Sequence, residues 1–265
     1  MRLIDTHCHL DGHYFPDGPQ GPIDRALAAG VGGFMVIGVG KTMQHARDAI
    51  AIAQTYPSFV TAAVGIHPHD ASTFDADAES ELNTLGRAPE VSAIGEAGLD
   101  YHYDNSPRDV QRDVFARAIA IAKQIGKPLV VHTRSAASDT LDMLESEGAR
   151  DTGGIIHCFS EDRAFATRAL DLGFYISFSG IVTFKNAVSI HEVAATAPLD
   201  RILVETDSPY LAPIPFRGKP CEPAMVVHTA KRVAELRGIT VEALAFATTT
   251  NAERLLGRTF ATALS

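Results

Sequence analysis

Residues 91–133, VSAIGEAGLDYHYDNSPRDVQRDVFARAIAIAKQIGKPLVVHT, carry the plan of the chain in one unit. The stretch opens with a short apolar run, VSAIGE, and closes with another, PLVVHT. Between them the apolar spacing turns helical. Ser106 is placed to cap that helix, Pro107 to occupy its first turn and Gly126 to stop it, with Pro128 beyond. A strand, a helix and a second strand of this length form a right-handed βαβ unit with parallel strands. Each strand also ends in a group able to bind a metal, Glu96 in the first and His132 in the second.

The same alternation extends both ways. RLIDTH (2–7), GFMVIGV (33–39), FVTAAVGIH (59–67), GIIHCF (154–159), FYISFSG (174–180) and RILVETD (201–207) complete eight strand-like runs. Thr42 can open the helix after the second run, Glu222-Pro223 one that ends at Gly238, and ITVEALAFATTTNAERLLG closes the series. Eight βα units predict a closed (β/α)8 TIM barrel of the metallo-dependent hydrolase type, and 265 residues suit a fold that typically takes about 250. No Pro/Gly/Ser-rich linker or low-complexity tract divides the chain, so one domain over 1–265 is expected.

Composition narrows the function. A net charge of −9 disfavours a broad basic surface gripping duplex DNA through many phosphates. It leaves room for a small positive site built on bound cations. Three cysteines without paired spacing, no long apolar run and no basic-then-apolar leader predict a soluble, cytoplasmic chain with no membrane contact and no obligate protein partner.

A barrel gathers the C-terminal ends of its strands around one mouth. Metal-capable residues recur at those ends: His7 and His9, Glu96, His132, His157 and Asp207. In a regular strand His7 and His9 share a face with Asp5, while Cys8 points away. Cys8 and Cys158 are accordingly expected to face the helix layer, and Asp5 to orient a ligating histidine. His67, at the end of strand three, is placed to bond a substrate phosphate. His45, His191 and His228 fall in helical segments; His13, His69 and His102 fall in loops. The second and seventh runs end without an evident ligand.

Read together, DTHCHL, GIHPH, IGEAGLDY, VVHTR, IIHCFS and ETDSPYLAP followed by RGKPCEP resemble the TatD family of metal-dependent deoxyribonucleases and related hydrolases, within the amidohydrolase-like barrels. The resemblance runs from Ile4 to the NAERLLG segment. It implies two divalent ions, one held by His7, His9, Glu96 and Asp207, the other by Glu96, His132 and His157, with a phosphoester substrate such as a DNA end. Family members commonly carry Asn where this chain has Cys221. With no Trp in the chain, base stacking would fall to Tyr, Phe or His. Related cyclic amidohydrolases often bridge their metals with a carboxylated lysine; Glu96 at that strand end points away from ring-opening amidases.

Two divalent cations can activate water and neutralise phosphate charge. Asp207 is the expected general base as well as a ligand. Arg217 and Lys219, just after strand eight, are placed to contact a second phosphate. Imidazole and carboxylate ligands accept zinc, manganese, magnesium or nickel. The expected function is therefore a deoxyribonuclease working on DNA ends. The alternative is hydrolysis of a small phosphoester or amide metabolite on the same metals.

Overall fold

The computed structural model describes residues 2–261, and its eight strands hydrogen-bond in sequence order as one parallel sheet. They are β1 (Leu3–Cys8), β2 (Val31–Gly38), β3 (Val60–Val64), β4 (Val91–Asp100), β5 (Leu129–Arg134), β6 (Gly154–Ile156), β7 (Phe174–Phe178) and β8 (Ile202–Val204). The chain just beyond β8 closes the ring on β1: Asp207 N donates to His7 O and His9 N to Ser208 O, both at 2.9 Å. Helices fill the crossovers, with α1 (Gln20–Ala28), α2 (Gln44–Thr55), α3 (Ala76–Leu85), α4 (Arg108–Ile125) and α5 (Ala137–Ser146) in the first half. The second half carries α6 (Arg163–Asp171), α7 (Val188–Thr196), α8 (Val226–Arg237) and α9 (Val241–Leu256). This is the expected TIM barrel. Among the described residues no helix is long and apolar enough to cross a membrane.

Strand residues alternate between two apolar layers. Phe34 and Val36 pack outward beneath the helices, while Met35 and Ile37 point into the barrel. Every strand supplies the inner layer, which includes Ile4, Ala63, Ala93, Val130, Ile155, Tyr175 and Leu203. Ala252 and Leu256 of α9 and the following Phe260 join that layer. Gly33 makes room for this plug, since a Cβ there would stand 2.7 Å from the Phe260 ring. Strands covered on both faces need continuous apolar runs rather than polar–apolar alternation, which is why the runs read so clearly.

The helix ends follow the sequence with one exception. Gly126 and Gly238 take the left-handed conformation that stops α4 and α8. Thr42 Oγ1 accepts from Gln44 N at the start of α2, and Glu222-Pro223 open a short 3-10 turn leading into α8. Ser106, however, does not cap α4; the cap position is Pro107. The Ser106 hydroxyl instead accepts from Ser72 N and donates to His69 O, tying down the loop after β3.

Candidate metal centre

The predicted ligands meet at one end of the barrel, around the carboxylate of Glu96. Glu96 Oε1 lies 2.8 Å from His132 Nδ1, 2.8 Å from His157 Nε2 and 3.4 Å from His67 Nε2. Its Oε2 lies 3.4 Å from His7 Nε2. Asp207 Oδ1 is 3.6 Å from the same His7 nitrogen and 3.7 Å from His9 Nε2. Three groups of donor atoms are close enough to share an ion: His7, His9 and Asp207; His67, Glu96 and His132; and His7, His157 and Glu205.

Local backbone geometry aims these side chains. β1 departs from regular pairing between Asp5 and Cys8, so strict alternation does not govern its end. Ile4 and Thr6 face the interior, Thr6 through its hydroxyl to Ser177 and Val204 O, yet His7 and His9 still converge on Asp207. Asp207 itself has φ +60°, a left-handed conformation that Asp tolerates better than most residues. Asp5 does not reach an imidazole. Its carboxylate accepts from the backbone N–H groups of His7 and Thr206 and from the Thr206 hydroxyl, which stitches β1 to the chain after β8. Burial pushes the Asp5 carboxyl up to about 8, against the pull of those hydrogen bonds.

Two residues behind the cluster, Asp100 and Glu205, were not singled out by the motifs. Asp100 Oδ2 faces His132 Nε2 at 3.2 Å and His69 Nε2 at 2.8 Å, while its Oδ1 accepts from the His102 and Tyr103 N–H groups. Glu205 Oε1 faces His157 Nδ1 at 3.2 Å and accepts from Cys158 N at 2.7 Å. Each carboxylate faces one ring nitrogen of its histidine and fixes the ring so that the other nitrogen points at Glu96. The available signal was position: Asp100 is the carboxylate of the quoted GLDY and Glu205 stands two residues before Asp207.

His67 differs. Its Nδ1 accepts the His69 backbone N–H at 3.1 Å, so its proton resides on Nε2 and that nitrogen is a donor. Burial holds the His67 imidazole down at about 4, against the attraction of Glu96, so the ring stays neutral at pH 7. Burial lowers His7 too, and neighbouring His157 lowers it further. Burial opposes ionisation of Glu96, but the charges of His157 and His67 and the hydrogen bond with His132 hold it well below the usual carboxylate range. Asp207 is likewise held low against burial by His9, His7 and His157.

The residues fit divalent cations. Both ring nitrogens of His7, together with His157 Nε2, are buried without hydrogen-bond partners among the described residues. Such orphans cost about 1–3 kcal/mol each unless a lone pair meets a cation or an N–H meets an acceptor. A set of imidazoles around carboxylates held anionic is the donor chemistry that zinc, manganese or nickel takes up.

The cluster forms the floor of a cavity of about 840 Å³. Glu96, His132, His157, Asp207, His9 and His67 line it, together with Tyr14, Tyr103, Tyr210, Lys41 and Arg134. Cys158, expected to face the helices, also lines this cavity. Its φ of +46° breaks the strand alternation, and its thiol meets the Ser179 hydroxyl at 3.2 Å. Cys8 does pack outward, with its thiol on Met35 O. His45, His69 and His13 line the cavity too, whereas His191 is bonded to Val182 O. Arg217 and Lys219 are exposed and lie outside the lining; Arg217 rests over the Phe184 ring at 4.6 Å.

Similarity to known proteins agrees with this site. The family model described as TatD related DNase matches residues 4–257. The metal-dependent hydrolase YabD of Bacillus subtilis is 42% identical over 254 residues, covering 96% of this chain and 98% of the relative. A protein of Citrobacter rodentium named 3'-5' ssDNA/RNA exonuclease TatD is 33% identical over 266 residues, covering 98% and 100%. The crystal structure of YjjV, a TatD homologue from Escherichia coli, superposes with a TM-score of 0.89 at 28% identity, covering 97% of this chain and 98% of that one. With the match spanning all eight strands and the histidine–carboxylate cluster at their ends, the chain belongs to the TatD family and is a metal-dependent hydrolase.

Proposed function

We propose that this hydrolase is a phosphodiesterase that removes nucleotides from DNA ends, using two divalent cations. The observation that carries the reading is one buried carboxylate, Glu96, contacted by imidazoles from four separate elements. His7, His9, Asp207 and Glu96 would hold one cation; Glu96, His132 and His157 would hold the other. When bound, the pair supplies an acidified water and neutralises charge on the phosphate.

The remaining work falls to side chains. Asp207 accepts the proton of the attacking water, since it faces the cavity and is held in its anionic form. His67 donates through Nε2–H to a non-bridging phosphate oxygen, a role its tautomer suits better than metal ligation. Asp100 and Glu205 hold His132 and His157 in position. An anionic diester is repelled by Glu96, Asp207, Asp100 and Glu205 together, so entry depends on cations reversing the local sign. Beyond the cavity, Arg217 and Lys219 would meet the phosphates of a longer strand.

Substrate size also supports the reading. The cavity has the volume of sites that enclose a small molecule, so it suits a strand end better than a continuous duplex. The 33% identical relative is named as an exonuclease on single-stranded DNA and RNA. The test pairs metal analysis with digestion of end-labelled oligonucleotides beside small phosphoesters and amides. About two ions per chain and stepwise shortening from one end are expected. Fewer than one ion would remove the dinuclear site. Turnover of the small compounds with intact oligonucleotides would replace the nuclease by a metabolite hydrolase.

A further inference from the structure

Two aromatic patches stand on opposite sides of the cavity mouth. Tyr14 follows β1 and Tyr210 follows β8, so they sit where the ring closes, with centroids 5.8 Å apart and rings at 79°. Tyr14 also packs on His9 at 5.1 Å. Tyr103 follows β4, and Arg134, at the end of β5, places its guanidinium 4.7 Å from that ring's centroid. In an eight-stranded ring the β4–β5 junction lies half a circumference from the β8–β1 junction. The histidine–carboxylate cluster lies between the two patches.

These rings are unusual in being exposed. Tyr103 and Tyr210 are 53% and 50% accessible, although both border an enclosed site. A tyrosine needed only for packing would bury its faces. Each ring is also held by neighbours rather than free to swing: Tyr103 by Arg134 and edge-on contact with His69, Tyr210 by Tyr14 and His9. Rigid, half-exposed aromatic faces beside a cationic or polar floor are the feature that takes up unpaired bases.

We infer that Tyr210 with Tyr14, and Tyr103 with Arg134, are two base-stacking platforms that grip the nucleosides on either side of the scissile phosphate. The inference rests on the nuclease reading above and makes its substrate more specific. A strand must offer an unpaired base on each side of the bond to be cut. Paired bases would have to separate first, since a base has to leave its duplex to lie on a tyrosine ring. Stacking accepts every base, so little sequence preference follows.

The test uses the metal-loaded enzyme with Tyr103→Ala, Tyr210→Ala and the corresponding Phe variants. Substrates are an oligothymidylate and the same strand with an abasic residue on the 5′ or the 3′ side of the cut. Each Ala variant is expected to lower kcat/KM on the intact strand about tenfold, as loss of one stacked base does, and Phe to restore it. One Ala variant should lose nothing further on the strand lacking the 5′ base, and the other nothing further on the strand lacking the 3′ base. Undiminished cleavage of the intact strand by both Ala variants, or equal losses on every abasic strand, overturns the platforms and leaves the nuclease standing. A wild-type enzyme that hydrolyses 4-nitrophenyl phosphate but leaves all strands intact removes the nuclease reading, and the platforms with it.

Discussion

The two ends of this barrel are built from the same strands to opposite ends. At the bottom, Ile4, Ala93, Val130 and Leu203 meet Leu256 and Phe260 in a dry apolar layer. At the other end of the barrel stand His7, Glu96 and His157, buried almost as deeply but polar, with nitrogen atoms of the two histidines left unpartnered. Burial at the bottom stabilises the fold. Burial at the top costs stability, because polar and ionisable groups there are taken out of water. The scaffold can tolerate that top because the bottom is closed by packing alone.

Four substitutions sharpen this contrast. The largest effect belongs to Glu96→Gln, which should cut turnover by more than the roughly hundredfold expected when only the partner behind a ligand is lost. Metal content should fall with it; wild-type turnover would dissolve the distinction between the ends. Next, Phe260→Ala at the bottom should cost about 3–5 kcal/mol and lower Tm by roughly 10 °C, with turnover per folded molecule unchanged. A thermal scan beside an active-site titration separates the two quantities. Asp100→Asn keeps the shape but weakens the hold on His132, so metal affinity or activity should drop about 10–100-fold. A change below twofold would mean that Asp100 serves only its own loop. Smallest is Arg217→Ala, expected to weaken oligonucleotide binding by about twofold and leave a small diester untouched, as an exposed charge does. An equal loss on both substrates would place Arg217 in the cavity after all.

Much of this contrast was legible in the sequence. The apolar runs are continuous because both strand faces are covered, and a histidine or carboxylate ending such a run is conspicuous. What the residues could not disclose arose where regular geometry fails. Parity assigned Cys158 to the helix side, but a left-handed backbone turns it into the cavity. Asp5 shares its parity with His7 and His9, yet a register shift sends its carboxylate across to Thr206. Ser106 has the composition of a helix cap, but its hydroxyl is engaged by the loop after β3. Glu205 and Asp100 act through histidines distant in sequence, and spacing carries no trace of such pairs. Arg217 and Lys219 follow a strand that does enter the site, and only the path of their loop keeps them outside the lining.

The seam at Asp5 bears on how the protein is made. Its two bonds to Thr206 join positions 201 residues apart, and Asp207 meets His7 across the same line. A ribosome must deliver about four-fifths of the polypeptide before the first histidine pair has its carboxylate. Until then the nascent chain exposes an open sheet edge and half a binding cup, so early capture of metal by the N-terminal segment alone would be weak and reversible.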